Sequence, residues 1–288
     1  MTAQLRFWGT RGSIPTPGPT TVRYGGNTPC VAITRGGDHL LVLDAGSGIR
    51  PLGHDLLRRG PTSVRVDLLL THTHWDHIQG LPFFKPLADH RNEVHIHGAP
   101  QNGFAVEEIL GRQMDPMVFP VPLHALGAHI SVTEIGEGAV HVDGYSIDAF
   151  RLRHPGCTLG YRIRPDGADA DVAYVTDNEL GPGGTYELPP DWRARLVERL
   201  SGVDTLIHDT MFAKRMIEVR AGWGHSSPHQ AIELAAEVGC RRLMLFHHEP
   251  EHDDAAMDAL LADARSYAAE AAPGLVVDAA AEGLTIAL

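Results

Sequence analysis

The sequence predicts an α/β chain folded as a four-layer αβ/βα sandwich, with two mainly antiparallel or mixed sheets carrying helices on their outer faces. Three observations point there. Short apolar runs, some nearly continuous, recur in both halves of the chain, as strands covered on both faces require. Segments with helical spacing fall between them. No linker-like or low-complexity stretch separates the halves, so one domain over residues 1–288 is expected, built from two similar halves at roughly 1–143 and 144–288.

The elements follow in order. Residues 4–8 alternate weakly and read as a strand, and residues 9–26, rich in Gly, Pro and Thr, read as an ordered loop. Residues 30–34 and 40–44 are apolar runs joined by Arg35, Gly36, Gly37 and Asp38, a hairpin signature. Residues 64–71 form a buried strand, 78–87 hold a short helix, 93–97 form a strand and 103–114 have helical spacing. Residues 115–125 hold three prolines and form an irregular apolar segment. Strands are expected at 130–133, 139–142, 145–153, 158–164, 171–176, 205–208, 242–247, 275–279 and 284–288. Helices are expected at 190–200, 228–238 and 253–271.

Composition narrows the function classes. The apolar runs, such as residues 68–70, fall far short of the roughly 18 residues of a membrane span. Residues 1–10 show no basic region followed by an apolar stretch, so a cytoplasmic protein without a membrane partner is expected. A net charge of −12 disfavours nucleic acid as a partner. Cys30, Cys157 and Cys240 are sparse and odd in number, which fits free thiols in a reducing compartment.

The 18 histidines are the unusual feature, because histidine is the commonest metal ligand and proton-transfer group near neutral pH. His39, His54, His90, His124, His129 and His252 read as surface residues, and His95 and His97 as packing or surface. The segment THTHWDH at residues 71–77 reads differently. It follows an apolar strand directly, and His72 and His74 are two apart on extended chain, so both rings can point one way. With Asp76 and His77 it offers four candidate ligands, enough to give two to each of two metals.

This HxHxDH pattern resembles that of the metallo-β-lactamase superfamily. Asp44 in LVLDAGSG, His154 in RLRHP, Asp177 in AYVTDN and His247 in LMLFHH match its other motifs in order, each after an apolar run. The resemblance covers nearly the whole chain. It implies that His72, His74 and His154 hold one divalent ion, that Asp76, His77 and His247 hold a second, and that Asp177 bridges them. It gives Asp44 an orienting role rather than a ligand's. Of the neighbours His247 and His248, only one can face the metals, and the resemblance favours His247. Zinc suits a His and Asp donor set without thiolate, and manganese or iron also fit.

Two further segments, LIHDTMF at 206–212 and GHSS at 224–227, are similar to motifs of the phosphodiesterase branch. That branch includes tRNase Z and phosphoribosyl 1,2-cyclic phosphodiesterase. The resemblance implies His225 as general acid, oriented by Asp209 where the branch usually has glutamate. Ser226 or Ser227 alternatively caps the following helix. His225, Asp209 and Asp76 thus make up the expected catalytic set. The implied reaction is hydrolysis of a small, cyclic or nucleotide phosphodiester by a water that the two metals activate.

Three alternatives stand beside it. A carbonyl hydrolase (lactonase, thioesterase or β-lactamase-like) could use the same metals but has no evident need of HDT and GHSS. A tRNase Z-like endoribonuclease would need a long tRNA-gripping arm, for which the span from His154 to Asp177 leaves no room. A metal-bound sensor without activity is disfavoured because all seven metal positions are present. For Arg11, Arg23, Asn27, Lys214 and Arg215, a phosphate contact and a structural role are both open. Residues 114–123 cover the site mouth, form a dimer contact or pack in the core. A homodimer is implied by the resemblance only.

Overall fold

The computed structural model describes residues 3–60, 63–181 and 184–288. Two seven-stranded mixed sheets stack face to face. The first is built from β1 (Gln4–Gly9), β2 (Cys30–Thr34), β3 (His39–Leu43), β4 (Arg65–Leu69), β5 (Glu93–Gly98), β6 (His129–Glu134) and, from the far end of the chain, β14 (Thr285–Ala287). The second contains β7 (Gly138–Val142), β8 (Tyr145–Arg151), β9 (Leu159–Pro165), β10 (Val172–Val175), β11 (Thr205–Asp209), β12 (Arg242–Phe246) and β13 (Val276–Ala279). The chain crosses between sheets after β6 and returns at β14.

Hairpins make each sheet antiparallel at one end, and helical crossovers make it parallel at the other. Strands β3 to β6 run parallel, as do β10 to β13. The crossover helices are α1 (Ile49–Arg58), the short α2 (Trp75–Ile78), α3 (Val106–Gln113), α4 (Trp192–Leu200), α5 (Pro228–Glu237) and α6 (Asp254–Ala271). Ser227 starts α5 with a reciprocal capping box to Gln230, and Asp253 caps α6 through the Ala256 amide at 2.8 Å. Among the described residues no helix is long and apolar enough to cross a membrane.

Strand alternation explains the layering. On β3, Leu41 and Leu43 face the core between the sheets, while Leu40 and Val42 face the outer core beneath α1 and α3. On β12, Met244 and Phe246 point inward, and Leu243 and Leu245 pack beneath α5 and α6. Both faces of these central strands are thus buried, which is why they read as near-continuous apolar runs. A side chain like Phe246, fully buried between the sheets, contributes on the order of 3–5 kcal/mol relative to alanine.

Two local expectations need correction. The short helix expected within residues 78–87 is two 3-10 turns, preceded by an α-helical turn that ends at Ile78. Helix α2 is that single turn, Trp75–Ile78, and the 3-10 turns are Leu81–Phe83 and Lys85–Ala88, each with a proline in its first turn. Helix α1 went unread. Its buried Ile49, Leu52 and Leu56 have helical spacing, but Pro51 and Gly53 mask it. The irregular segment divides: Met114 is buried and Phe119 packs edge-on against Phe83 at 5.5 Å, while Met117 and Val118 stand in solvent.

Candidate metal centre

The candidate residues collect where strands of both sheets end. Asp44 follows β3, His72 follows β4, His154 follows β8, Asp177 follows β10 and His247 follows β12, and Asp209 is the last residue of β11. Parallel strands carry their C-terminal ends to one edge, so residues distant in sequence converge there. The backbone is strained at the same edge. Ser13, Asp44, Asp177 and His247 have φ of 61°, 60°, 54° and 60°, a left-handed region that costs a non-glycine residue about 1–2 kcal/mol. Close approach is enforced by glycine: a Cβ on Gly12 would lie 2.6 Å from the His247 ring.

The seven predicted ligands come together in two groups that share a carboxylate. One ligand atom from each of His72, His74, His154 and Asp177 lies within 4.8 Å of the others, and the same holds for Asp76, His77 and His247. Asp177 Oδ1 is 3.2 Å from both His77 Nε2 and His247 Nε2. Its Oδ2 is 3.7 Å from His72 Nε2 and 3.6 Å from His154 Nε2. Among the described residues, the buried Nε2 atoms of His72 and His77 have no hydrogen-bond partner. Buried polar atoms are normally paired, so these nitrogens are placed for a ligand other than protein.

Electrostatics agree with a cation site. Burial pushes the His72 imidazole and the partly exposed His74 imidazole down and takes His154 to about 4, so all three are neutral, with His154 Nε2 2.9 Å from His74 Nδ1. Burial works to raise the Asp76 and Asp177 carboxyls, but the surrounding imidazoles hold both well below the carboxylate range. Burial also works against charge on His77, yet the carboxylates of Asp76, Asp177 and Asp44 raise it well above an ordinary histidine. The donor set, imidazole and carboxylate without thiolate, fits a divalent metal.

A second layer fixes these side chains. Asp44 accepts from the Thr71 amide at 2.8 Å, from His77 Nδ1 at 2.9 Å and from the Tyr174 hydroxyl at 3.0 Å. It therefore orients His77 from behind and is not among the clustered ligand atoms. The Ser13 amide donates to Asp76 Oδ2 at 2.7 Å, and the Gly224 carbonyl accepts from His154 Nδ1 at 3.0 Å. His248 faces away, with Nε2 on the Ala280 carbonyl at 2.8 Å.

His225 stands beside the cluster, its ring stacked on His247 at 5.1 Å and 5.3 Å from His154. Its Nδ1 is 2.7 Å from Asp209 Oδ2, so the shorter aspartate does reach it. Burial pushes His225 down, but the Asp209 carboxylate outweighs this and raises it to about 9. Ser227 caps α5, and Ser226 instead pins the loop after Asp177, donating to the Asn178 carbonyl at 2.5 Å.

A family profile described as a beta-lactamase superfamily domain matches residues 39–248. The chain belongs to the metallo-β-lactamase superfamily. Ribonuclease BN of Cronobacter sakazakii is 25% identical over 91% of this chain and 94% of its own length. Ribonuclease Z of Halobacterium salinarum is 27% identical over 86% of this chain and 87% of its own. In fold, the chain is similar to a diphosphatase of the PhnP family, with TM-score 0.66 at 18% identity over 99% and 98% of the two chains. It is likewise similar to the short form of human tRNase Z, with TM-score 0.64 at 19% identity over 99% and 98%. The chain is a metal-dependent hydrolase of this superfamily.

The structure also places the residues of this superfamily member whose roles the sequence left open. Arg11 is fully buried and donates to the carbonyls of Gly25 at 2.8 Å, Glu249 at 3.1 Å and His252 at 2.5 Å. Arg23 pairs with Asp258 at 2.6 Å, and Asn27 Nδ2 donates to Glu282 at 3.0 Å. All three latch the opening loop, which leaves the phosphate role without support. Lys214 and Arg215 are exposed, with Lys214 Nζ 5.7 Å over the Tyr267 ring. His39 is not a surface residue, since its ring bonds buried Asp67 at 2.8 Å. His97 bonds the same carboxylate, and His95 bonds Ser131, so neither reaches the cluster. Cys157 is free and half-buried, its thiol pushed up by burial. Sequence reading missed Tyr174 and Glu179, whose parts depend on contacts across the fold.

Proposed function

We propose that this chain hydrolyses a phosphodiester, with a small, cyclic or nucleotide phosphodiester as substrate and two divalent ions as cofactors. His72, His74 and His154 would hold one ion, Asp76, His77 and His247 the other, and Asp177 both. Zinc is the first choice, with manganese and iron compatible with the same donors. Bound there, the ions supply Lewis-acid neutralisation of phosphate charge and a water acidic enough to attack near neutral pH.

The observation that carries the reading is the His225–Asp209 pair. Asp209 accepts the Nδ1 proton at 2.7 Å, so the proton available for transfer sits on Nε2. That ring stands in the group with Asp177 and His247, beside the ligands rather than behind them. An imidazolium so placed can protonate a departing alkoxide, and Asp209 positions it and balances its charge. A lactone or ester also expels an alkoxide, so the pair supports a general acid and leaves the choice of electrophile to the relatives. The relatives named ribonuclease Z and BN support phosphorus as the electrophile. Their names favour a second reading, an RNA substrate. The net charge of −12 and the short span from His154 to Asp177 favour the small molecule.

The test compares metal-loaded wild type and His225→Ala at equal metal content. Bis(p-nitrophenyl) phosphate, a dinucleotide and a short RNA serve as substrates. Turnover should fall by about 10²–10⁴-fold in the variant, most for the dinucleotide, whose poor leaving group needs the acid. RNA cleaved far better than the dinucleotide would favour the second reading. Lactone or thioester turnover without phosphodiester turnover would overturn both. Loss of bound metal in the variant would make His225 a ligand instead.

A further inference from the structure

Glu179 lies two residues beyond Asp177 and is 3% exposed. A buried carboxylate needs donors, and it finds them on one short turn. Its Oε1 accepts from the Gly222 amide at 2.9 Å, and its Oε2 accepts from the Gly224 amide at 3.1 Å. The Tyr186 hydroxyl donates to Oε2 as well. The Glu179 amide donates to the Arg153 carbonyl at 2.8 Å, next to His154.

The turn it grips touches both halves of the site chemistry. Gly222 and Gly224 both have φ of 86°, and a Cβ on Gly224 would lie 2.1 Å from His154 Nδ1. The Gly224 carbonyl takes the His154 Nδ1 proton, which leaves Nε2 facing the cluster. The next residue is His225. One carboxylate thus holds the peptide that selects the His154 tautomer and launches His225.

We infer that Glu179 is a positioning residue of the metal centre, acting through the 222–224 turn on His154 and His225. Tyr186 extends the link outward. It lines a groove of about 370 Å³, together with His154, Asn102, Cys157 and Leu188. The inference rests on the metal-binding reading of the cluster and not on the choice of substrate.

The experiment loads the full chain with Co²⁺ alone and reads affinity by chelator competition, visible absorption of the bound ion, and melting of the metal-free protein. Glu179→Ala should weaken one of the cobalt-binding steps by about 10–100-fold and shift its absorption, as loss of a ligand-orienting partner does. Glu179→Gln keeps one acceptor and should fall between wild type and alanine, with Tyr186→Phe weakest. Wild-type affinity and absorption in a folded Glu179→Ala overturn the inference. If the alanine variant does not fold, Glu179→Gln decides. Weakened cobalt with native melting supports the inference, and native cobalt binding overturns it. A wild type that takes up no cobalt overturns the metal reading and this inference together.

Discussion

Two histidine–aspartate clusters in this chain use the same residue types with opposite geometry. Within the first sheet, Asp67 takes His39 Nε2 at 2.8 Å on one oxygen and His97 Nε2 at 3.0 Å on the other, with Arg65 Nε 3.4 Å away. At the strand ends, Asp177 takes one hydroxyl, from Thr176 at 2.8 Å. Four imidazole nitrogens stand around it at 3.2–3.7 Å, and among the described residues those of His72 and His77 have no hydrogen-bond partner. The Asp67 cluster is closed, each oxygen matched to a donor. The Asp177 cluster is held open by the backbone that carries it. Counting histidines and aspartates does not tell a metal centre from a structural network. Spare imidazole nitrogen gathered around one carboxylate separates the two here, since the unmatched nitrogen beside Asp67 is the Arg65 guanidinium, which has no lone pair to offer a metal.

The largest effect should come from breaking the open cluster. Asp177→Asn removes the carboxylate shared by both groups. Bound metal should fall, and turnover should drop by more than about 100-fold, beyond the usual range for outer-layer changes. Full metal content by elemental analysis of the variant would erase the contrast. Chelation comes next. A metal that binds only the folded state at about 100 times its dissociation constant adds about 2.7 kcal/mol. Chelator should therefore lower the wild-type melting temperature clearly and leave Asp177→Asn nearly unmoved.

The closed cluster should answer in stability alone. Asp67→Asn should keep metal and turnover while costing the metal-free protein about 1–3 kcal/mol in urea unfolding, because a histidine donor is left unmatched. Its pH dependence has a definite sign. Burial works to raise the Asp67 carboxyl, but hydrogen bonds from His39 and His97 hold it below its ordinary value. A depressed folded value means the contribution is complete above about pH 4 and is lost as pH falls below it. The stability gap between wild type and Asp67→Asn should therefore shrink on acidification. A gap that widens would reverse the assignment.

The open cluster was legible in sequence and the closed one was not. THTHWDH, RLRHP, YVTDN and LFHH each put chemistry directly after an apolar run, and parallel strands bring such ends to one edge. Asp67 lies inside an apolar strand, and its partners depend on register. It pairs across the ladder with Leu41 and His95, so His39 and His97 reach it diagonally from two residues away. Glu179 was hidden for a related reason. It acts on backbone amides 43 and 45 residues further on, and amides carry no sequence signature. Helix α1 was lost to Pro51 and Gly53, which are read as breakers although proline suits a first helical turn.

The left-handed residues at the strand ends have a consequence for how such a chain evolves. Glycine occupies that conformation at little steric cost, so selection for heat resistance alone would favour glycine at Asp177 and His247, but not at Asp44, whose carboxylate satisfies the buried Thr71 amide and Tyr174 hydroxyl. Each such step would relax the backbone and discard a side chain from the centre. Ser13 differs, since the site uses only its amide, and glycine there would be gained without loss. A descendant carrying glycine at position 13 would remain an enzyme. One carrying glycine at 177 and 247 would be recognisable as a pseudoenzyme from two codons.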